Sequence, residues 1–96
     1  MMESHEHTLS DLLEKIYERF DMTEAVAEME VRRTYHGVVG ELISKLTKEV
    51  RFKNGTLSVK LLSPALRNEL EYKKQDLQDA INERLRKPAI KKIILR

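Results

Sequence analysis

The chain has no cysteine and no tryptophan, and among its 96 residues there are two prolines, three glycines, two phenylalanines and three tyrosines. Without cysteine there is no disulfide, no thiolate nucleophile and no cysteine-ligated zinc or iron–sulfur centre, so stability has to come from packing. The three glycines, at 37, 40 and 55, spell no Walker, dinucleotide-binding or nucleophile-elbow pattern. No apolar run approaches the ~18 residues that cross a bilayer. The start Met1-Met2-Glu3-Ser4-His5-Glu6-His7 lacks the basic and apolar regions of a signal peptide, so the cytoplasm is the expected location. At this length one modest core is expected, with no solenoid repeat.

Charge is what the chain has in quantity: 35% of residues are charged and 41% apolar, for a net +2. The balance is uneven along the sequence. Residues 1–47 carry five Lys/Arg against ten Asp/Glu, whereas residues 48–96 carry thirteen against six. Such asymmetry points to a basic face for a polyanion and an acidic face elsewhere, against the plainer reading of a dipolar molecule with well-solvated helices.

Residues 1–8 read as a flexible tail and residues 9–96 as one domain. Leu9, Leu12, Leu13, Ile16, Tyr17 and Phe20 form one apolar stripe at helical spacing, with Thr8 or Ser10 as cap. Asp21-Met22-Thr23-Glu24 opens a second helix, expected from about Thr23 to Leu46. Gly37 and Gly40 inside it each cost roughly 1 kcal/mol relative to Ala. Close approach of another element is the expected reason for them, and a break near Gly37 is the alternative. Asn54-Gly55 between alternating runs predicts a tight hairpin. Alternation places Val50, Phe52, Leu57, Val59 and Leu61 on a core face and Arg51, Lys53, Ser58 and Lys60 on a wet, basic one. Ser63-Pro64 then opens a long helix carrying Leu66, Leu70, Leu77, Ile81 and Leu85, stopped by Pro88. The last strand, Ile90 to Leu95, is expected to run parallel to the second hairpin strand through a right-handed crossover. The result is an α+β two-layer sandwich of order α-α-β-β-α-β, a three-stranded sheet with helices on one face.

Catalysis has little to stand on. His5 and His7 have no third ligand near them in sequence, and His36 reads as an ordinary helical histidine. The pairs Glu69/Glu71 and Asp76/Asp79 share a solvated helix face with nothing to separate their acidities. Gly37-Val38-Val39-Gly40 has the spelling of a GXXG backbone clamp, but its two valines belong to the apolar stripe, which favours helix packing. No catalytic residue, metal, cofactor, small-molecule substrate or membrane contact is therefore expected. The one constellation above background is cationic: Arg51, Lys53 and Lys60 from the sheet, Lys73 and Lys74 on the long helix, and Arg84, Arg86, Lys87, Lys91 and Lys92 near its end. Only Tyr72, or Phe52 in the reverse register, is an aromatic available for base stacking, which speaks against sequence-specific recognition.

An aromatic at Tyr35 ahead of Val38-Val39-Gly40-Glu41-Leu42-Ile43 and Thr47 begins a series of separated motifs. Phe52-Lys53-Asn54-Gly55-Thr56-Leu57-Ser58-Val59 follows, then Ser63-Pro64-Ala65-Leu66-Arg67-Asn68-Glu69-Leu70, then Leu77 and Ile81-Asn82-Glu83-Arg84-Leu85, then Ile93-Ile94-Leu95-Arg96. In order and spacing this string resembles the DciA family of bacterial helicase loaders, closely over residues 35–96 and loosely over the whole chain. The resemblance implies a KH-like domain that binds DNA, single-stranded or forked, and assists the replicative helicase without hydrolysis of its own. RNA is a second possible polymer. Tyr35 stands where the family often has Trp, preserving a large core aromatic. DciA proteins commonly carry a further flexible segment implicated in helicase contact, and this chain is expected to end on the last strand of the KH-like domain. A protein-interaction or scaffold module, docking through the acidic half or a sheet edge, is the alternative reading, and the oligomeric state is left open.

Overall fold

The computed structural model describes Leu12 and residues 23–96. The helix expected over residues 9–20, the tail over 1–8 and the histidines at 5 and 7 lie outside the described residues, apart from Leu12, which is helical. Helix α1 (Thr23–Lys45) leads into the hairpin β1 (Thr47–Lys53) and β2 (Thr56–Leu61). Helices α2 (Pro64–Tyr72) and α3 (Lys74–Leu85) then return the chain to β3 (Lys92–Leu95). Strand order is β1-β2-β3, with β1 antiparallel and β3 parallel to β2.

The hairpin follows from its turn. Asn54 and Gly55 have φ of 50° and 80°, the two positive values that a two-residue loop needs if its twist is to match the strands. Val50 then pairs with Val59 and Phe52 with Leu57, so each strand puts its apolar set on one face. In β3, Ile93 and Leu95 join that face beside Leu57 and Val59. Helices cover it: Val31, Tyr35, Leu70, Leu77 and Ile81 pack from the other side to close the core.

Helix α1 is not continuous. Gly40 has φ 89° and ψ 174°, backbone essentially reserved for glycine, and the helix kinks there. The kink brings together residues that a straight helix would separate: His36 Nδ1 lies 2.8 Å from Ser44 Oγ. It also turns Thr47 back so that Tyr35 reaches it at 2.9 Å, while Thr47 Oγ1 donates to the Ile43 carbonyl at 2.8 Å. The break thus falls at Gly40 and not Gly37, and nothing stands within 4 Å of where a Gly40 Cβ would be, so its cause is backbone conformation. At Gly37 a Cβ would sit 3.0 Å from Arg84 Nη1, the far end of a flexible side chain that can shift, so the expected close approach of another element is not what requires glycine there. Gly40→Ala is expected to cost about 1–3 kcal/mol, the strain of forcing an L side chain into that region, read as a fall in the thermal midpoint.

The single long helix expected after Ser63 is two helices. Ser63 caps the first, its Oγ accepting from the Leu66 N–H at 3.1 Å with Pro64 following. Lys73, at φ −109° and ψ 19°, interrupts the run. A straight helix over residues 64–85 would be about 33 Å long, whereas strands of four to seven residues span about 13–24 Å. Folding at Lys73 lets both Leu70 and Leu77 bury against the same sheet. After α3 the Asn82 side chain clamps Ile90, Nδ2 donating to its carbonyl at 2.9 Å and Oδ1 accepting its N–H at 2.8 Å. This tie delivers the chain into β3.

Candidate nucleic-acid interface

With the helices on one side, the other side of the sheet is wet, and strand register decides what stands on it. Lys53, Thr56 and Lys92 form one row across the three strands. Arg51, Ser58 and Ile94 form the next. Glu49 and Lys60 continue the pattern, with Arg96 beside them, its N–H donating to Val59 and its carbonyl accepting from Leu61. Arg51, Lys53, Lys60, Lys92 and Arg96 are all exposed. Glu49 is the one carboxylate in these rows. Strands about 4.8 Å apart set Lys53 and Lys92 roughly 10 Å apart at the backbone.

Phe52 points into the core, so the register is the one expected from alternation and no aromatic stands in these rows. Lys91 has the opposite parity to Lys92 and stands at the hairpin turn: its N–H donates to the Gly55 carbonyl at 2.8 Å, and its aliphatic stem lies beside Gly55, 3.4 Å from where a Cβ would be. Arg51 is the most tethered of the set, 3.2 Å from Glu28 and 3.5 Å from Glu49. Glu28 also accepts the Phe52 N–H at 3.1 Å, and Arg32 donates to the Val50 carbonyl at 3.4 Å. Those two side chains of α1 close the free edge of β1 against further strand pairing. Beside them Arg32, His36, Lys48 and Arg51 line a cleft of about 230 Å³.

The remaining cations expected from the sequence lie elsewhere. Arg84 packs over Gly37 of α1 in the helical layer, and Lys87 pairs with Glu30 at 3.3 Å. Lys74 is held by Glu71 at 2.6 Å, next to Lys73 at the joint of α2 and α3. Arg86 is exposed at the end of α3, in left-handed backbone at φ 60°. Tyr72, 90% exposed, stands at the α2–α3 joint between Glu69, Glu71 and Lys73, apart from the sheet's wet face. The structure therefore gathers Arg51, Lys53, Lys60 and Lys92 on one face, leaves Lys91 at the hairpin turn and sets the other five apart. Sequence reasoning missed Arg96; the parity of β3, which puts 92, 94 and 96 on one face, was the available signal.

Chemistry for catalysis is not assembled among the described residues. No group of three or more His, Asp or Glu is placed to hold a metal ion there. Glu69, Glu71, Asp76 and Asp79 are all exposed, and Asp79 accepts from Gln75 at 3.0 Å. The buried ionisable group is the Tyr35 hydroxyl, which burial pushes above its ordinary value of 10.0, the hydrogen bond with Thr47 offsetting part of that shift. No helix among the described residues is long and apolar enough to cross a membrane.

Fold and surface thus define a small α+β domain with its helices on one face of a mixed sheet and, on the other, a cationic face that among the described residues holds no aromatic. The family model described as "Dna[CI] antecedent, DciA" matches residues 8–95, and the chain belongs to the DciA family. Membership links it to helicase loading in DNA replication. No curated protein matches the chain.

Proposed function

We propose that this chain is a non-enzymatic DNA-binding module that engages single-stranded or forked DNA through the wet sheet face and so assists the replicative helicase. The observation that supports this reading is the sheet's register: Lys53, Lys60, Lys92 and Arg96, exposed and without a carboxylate partner among the described residues, share one surface with Arg51, which Glu28 and Glu49 already tether. Fixed to strands, these side chains hold their spacing whichever sequence is bound, and each phosphate they neutralise releases a counterion. With no ring on this face among the described residues, contact is to the backbone, and base identity matters little. Lys74 and Lys87, already facing carboxylates, contribute least, while Lys73, Arg84 and Arg86 act from outside the main track.

The test is a salt titration of fluorescent single-stranded, forked and RNA oligomers. Four to five phosphate contacts predict a slope of about −3 in log affinity against log salt, or roughly 60-fold weaker binding at 200 mM than at 50 mM. Affinity indifferent to salt would reject the proposal. A parallel pull-down with the replicative helicase tests the second half of the statement.

A further inference from the structure

Between α1 and the edge strand β1 lies the cleft of about 230 Å³ that Arg51 helps to line. Drug-sized ligands occupy pockets of about 300–1,000 Å³, so this volume suits a small group. Arg32 and His36, one helical turn apart on α1, meet Lys48 and Arg51 of β1 in its walls. Glu49 is the carboxylate in the lining, while Glu28 stands outside it.

The donors there are unevenly spent. Arg51 is engaged by Glu28 and Glu49. Arg32 uses Nε on the Val50 carbonyl and reaches Glu28 through Nη2 at 3.6 Å, which leaves Nη1 without a partner among the described residues. Lys48 is exposed and has no carboxylate partner among the described residues. His36 Nδ1 lies 2.8 Å from Ser44 Oγ, and a Ser44 hydroxyl that donates to it places the ring's proton on Nε2, where a ligand can accept it. Donors from a helix and a strand thus converge on one small volume. A flat carboxylate is satisfied by a single guanidinium fork, whereas several donors of separate origin suit the oxygens of a tetrahedral anion.

We propose that this cleft binds a terminal phosphate group, either free or at the end of a nucleic-acid strand, through Arg32, His36 and Lys48. A phosphodiester inside a strand fits less well, because it carries a single charge and its sugars must leave the cleft on both sides. Binding of the free anion needs no DNA on the sheet face, so it stands or falls apart from the function proposed above. The test is an NMR titration of the full chain in which sodium phosphate replaces sodium chloride at constant ionic strength. Saturable shifts centred on Arg32, His36 and Lys48 are expected. Lys48→Gln is expected to weaken binding about tenfold, through loss of one charge-assisted contact. Glu49→Gln is expected to tighten it about threefold, because a like charge is removed. Both side chains are exposed, so the fold is expected to persist, and unchanged resonances elsewhere check this. Single-stranded oligomers with and without a terminal phosphate separate the two sources. Tighter binding of the phosphorylated strand, with the gain lost in Lys48→Gln, assigns the cleft to a strand end, and equal affinity assigns it to the free anion. Shifts that never saturate, that spread over all the lysines and arginines, or that neither substitution alters overturn the proposal.

Discussion

Reversing Lys53, Lys60 and Lys92 to glutamate together is expected to lower affinity for single-stranded DNA by two to three orders of magnitude at low salt. The three stand on the wet sheet face, one per strand, and have no carboxylate partner among the described residues, so the charges are available to a ligand. Losing three of about five contacts is expected to flatten the salt slope from about −3 to about −1.4, and the introduced carboxylates add repulsion. The fold is expected to persist, because all three side chains are exposed and none supports the core. An unchanged thermal midpoint checks this. The contrast is a double variant on the helical side, Lys73→Glu with Arg86→Glu, expected to weaken binding by only a few-fold. Equal losses from both would move the track off the sheet.

Tyr35→Ala is expected to be the most damaging single core substitution. The ring is fully buried between helix and sheet, stacks edge-on to His36 with centroids 5.2 Å apart, and ends in the hydroxyl that holds Thr47. Removing a buried aromatic costs about 3–5 kcal/mol, against a total stability of about 5–15 kcal/mol for a domain of this kind. The thermal midpoint is expected to fall by about 20 °C at roughly 5 °C per kcal/mol. Tyr35→Phe separates ring from hydroxyl and is expected to cost about 1 kcal/mol. The same pair reports on alkaline stability. Because burial raises the Tyr35 pKa above 10.0, the neutral hydroxyl's contribution is complete below pH 10 and is lost as pH climbs through the higher folded-state value. Wild type is therefore expected to lose more stability above pH 10 than Tyr35→Phe.

Several features of the fold were legible locally. Asn54-Gly55 demanded positive φ twice, and the structure has it; Ser63-Pro64 demanded a cap, and Leu66 receives it. Alternation alone separated Val50, Phe52, Leu57 and Val59 from Arg51, Lys53 and Lys60, because a pleat leaves no third choice. The parallel return of β3 followed from chain economy. The break at Lys73 was invisible, since Leu66, Leu70, Leu77, Ile81 and Leu85 keep one helical phase and neither glycine nor proline interrupts them. What folds the helix there is the limited breadth of the sheet beneath it, a length no short window contains.

The cationic site divides along the same line. Charge asymmetry between the two halves, and the wet parity of the hairpin, belong to the sequence by itself, because composition and a period of two are properties of consecutive residues. Which cations act together was decided by packing. Lys87 meets Glu30 across 57 positions and Arg51 meets Glu28 across 23, pairings that exist because α1 lies against α3 on one flank and along the edge of β1 on the other. Lys92 and Arg96 reach Lys53 and Lys60 because β3 enters beside β2 in a register held by the Asn82 clamp on Ile90. Electrostatic neighbours are set by distance through space, and only the closed core fixes those distances.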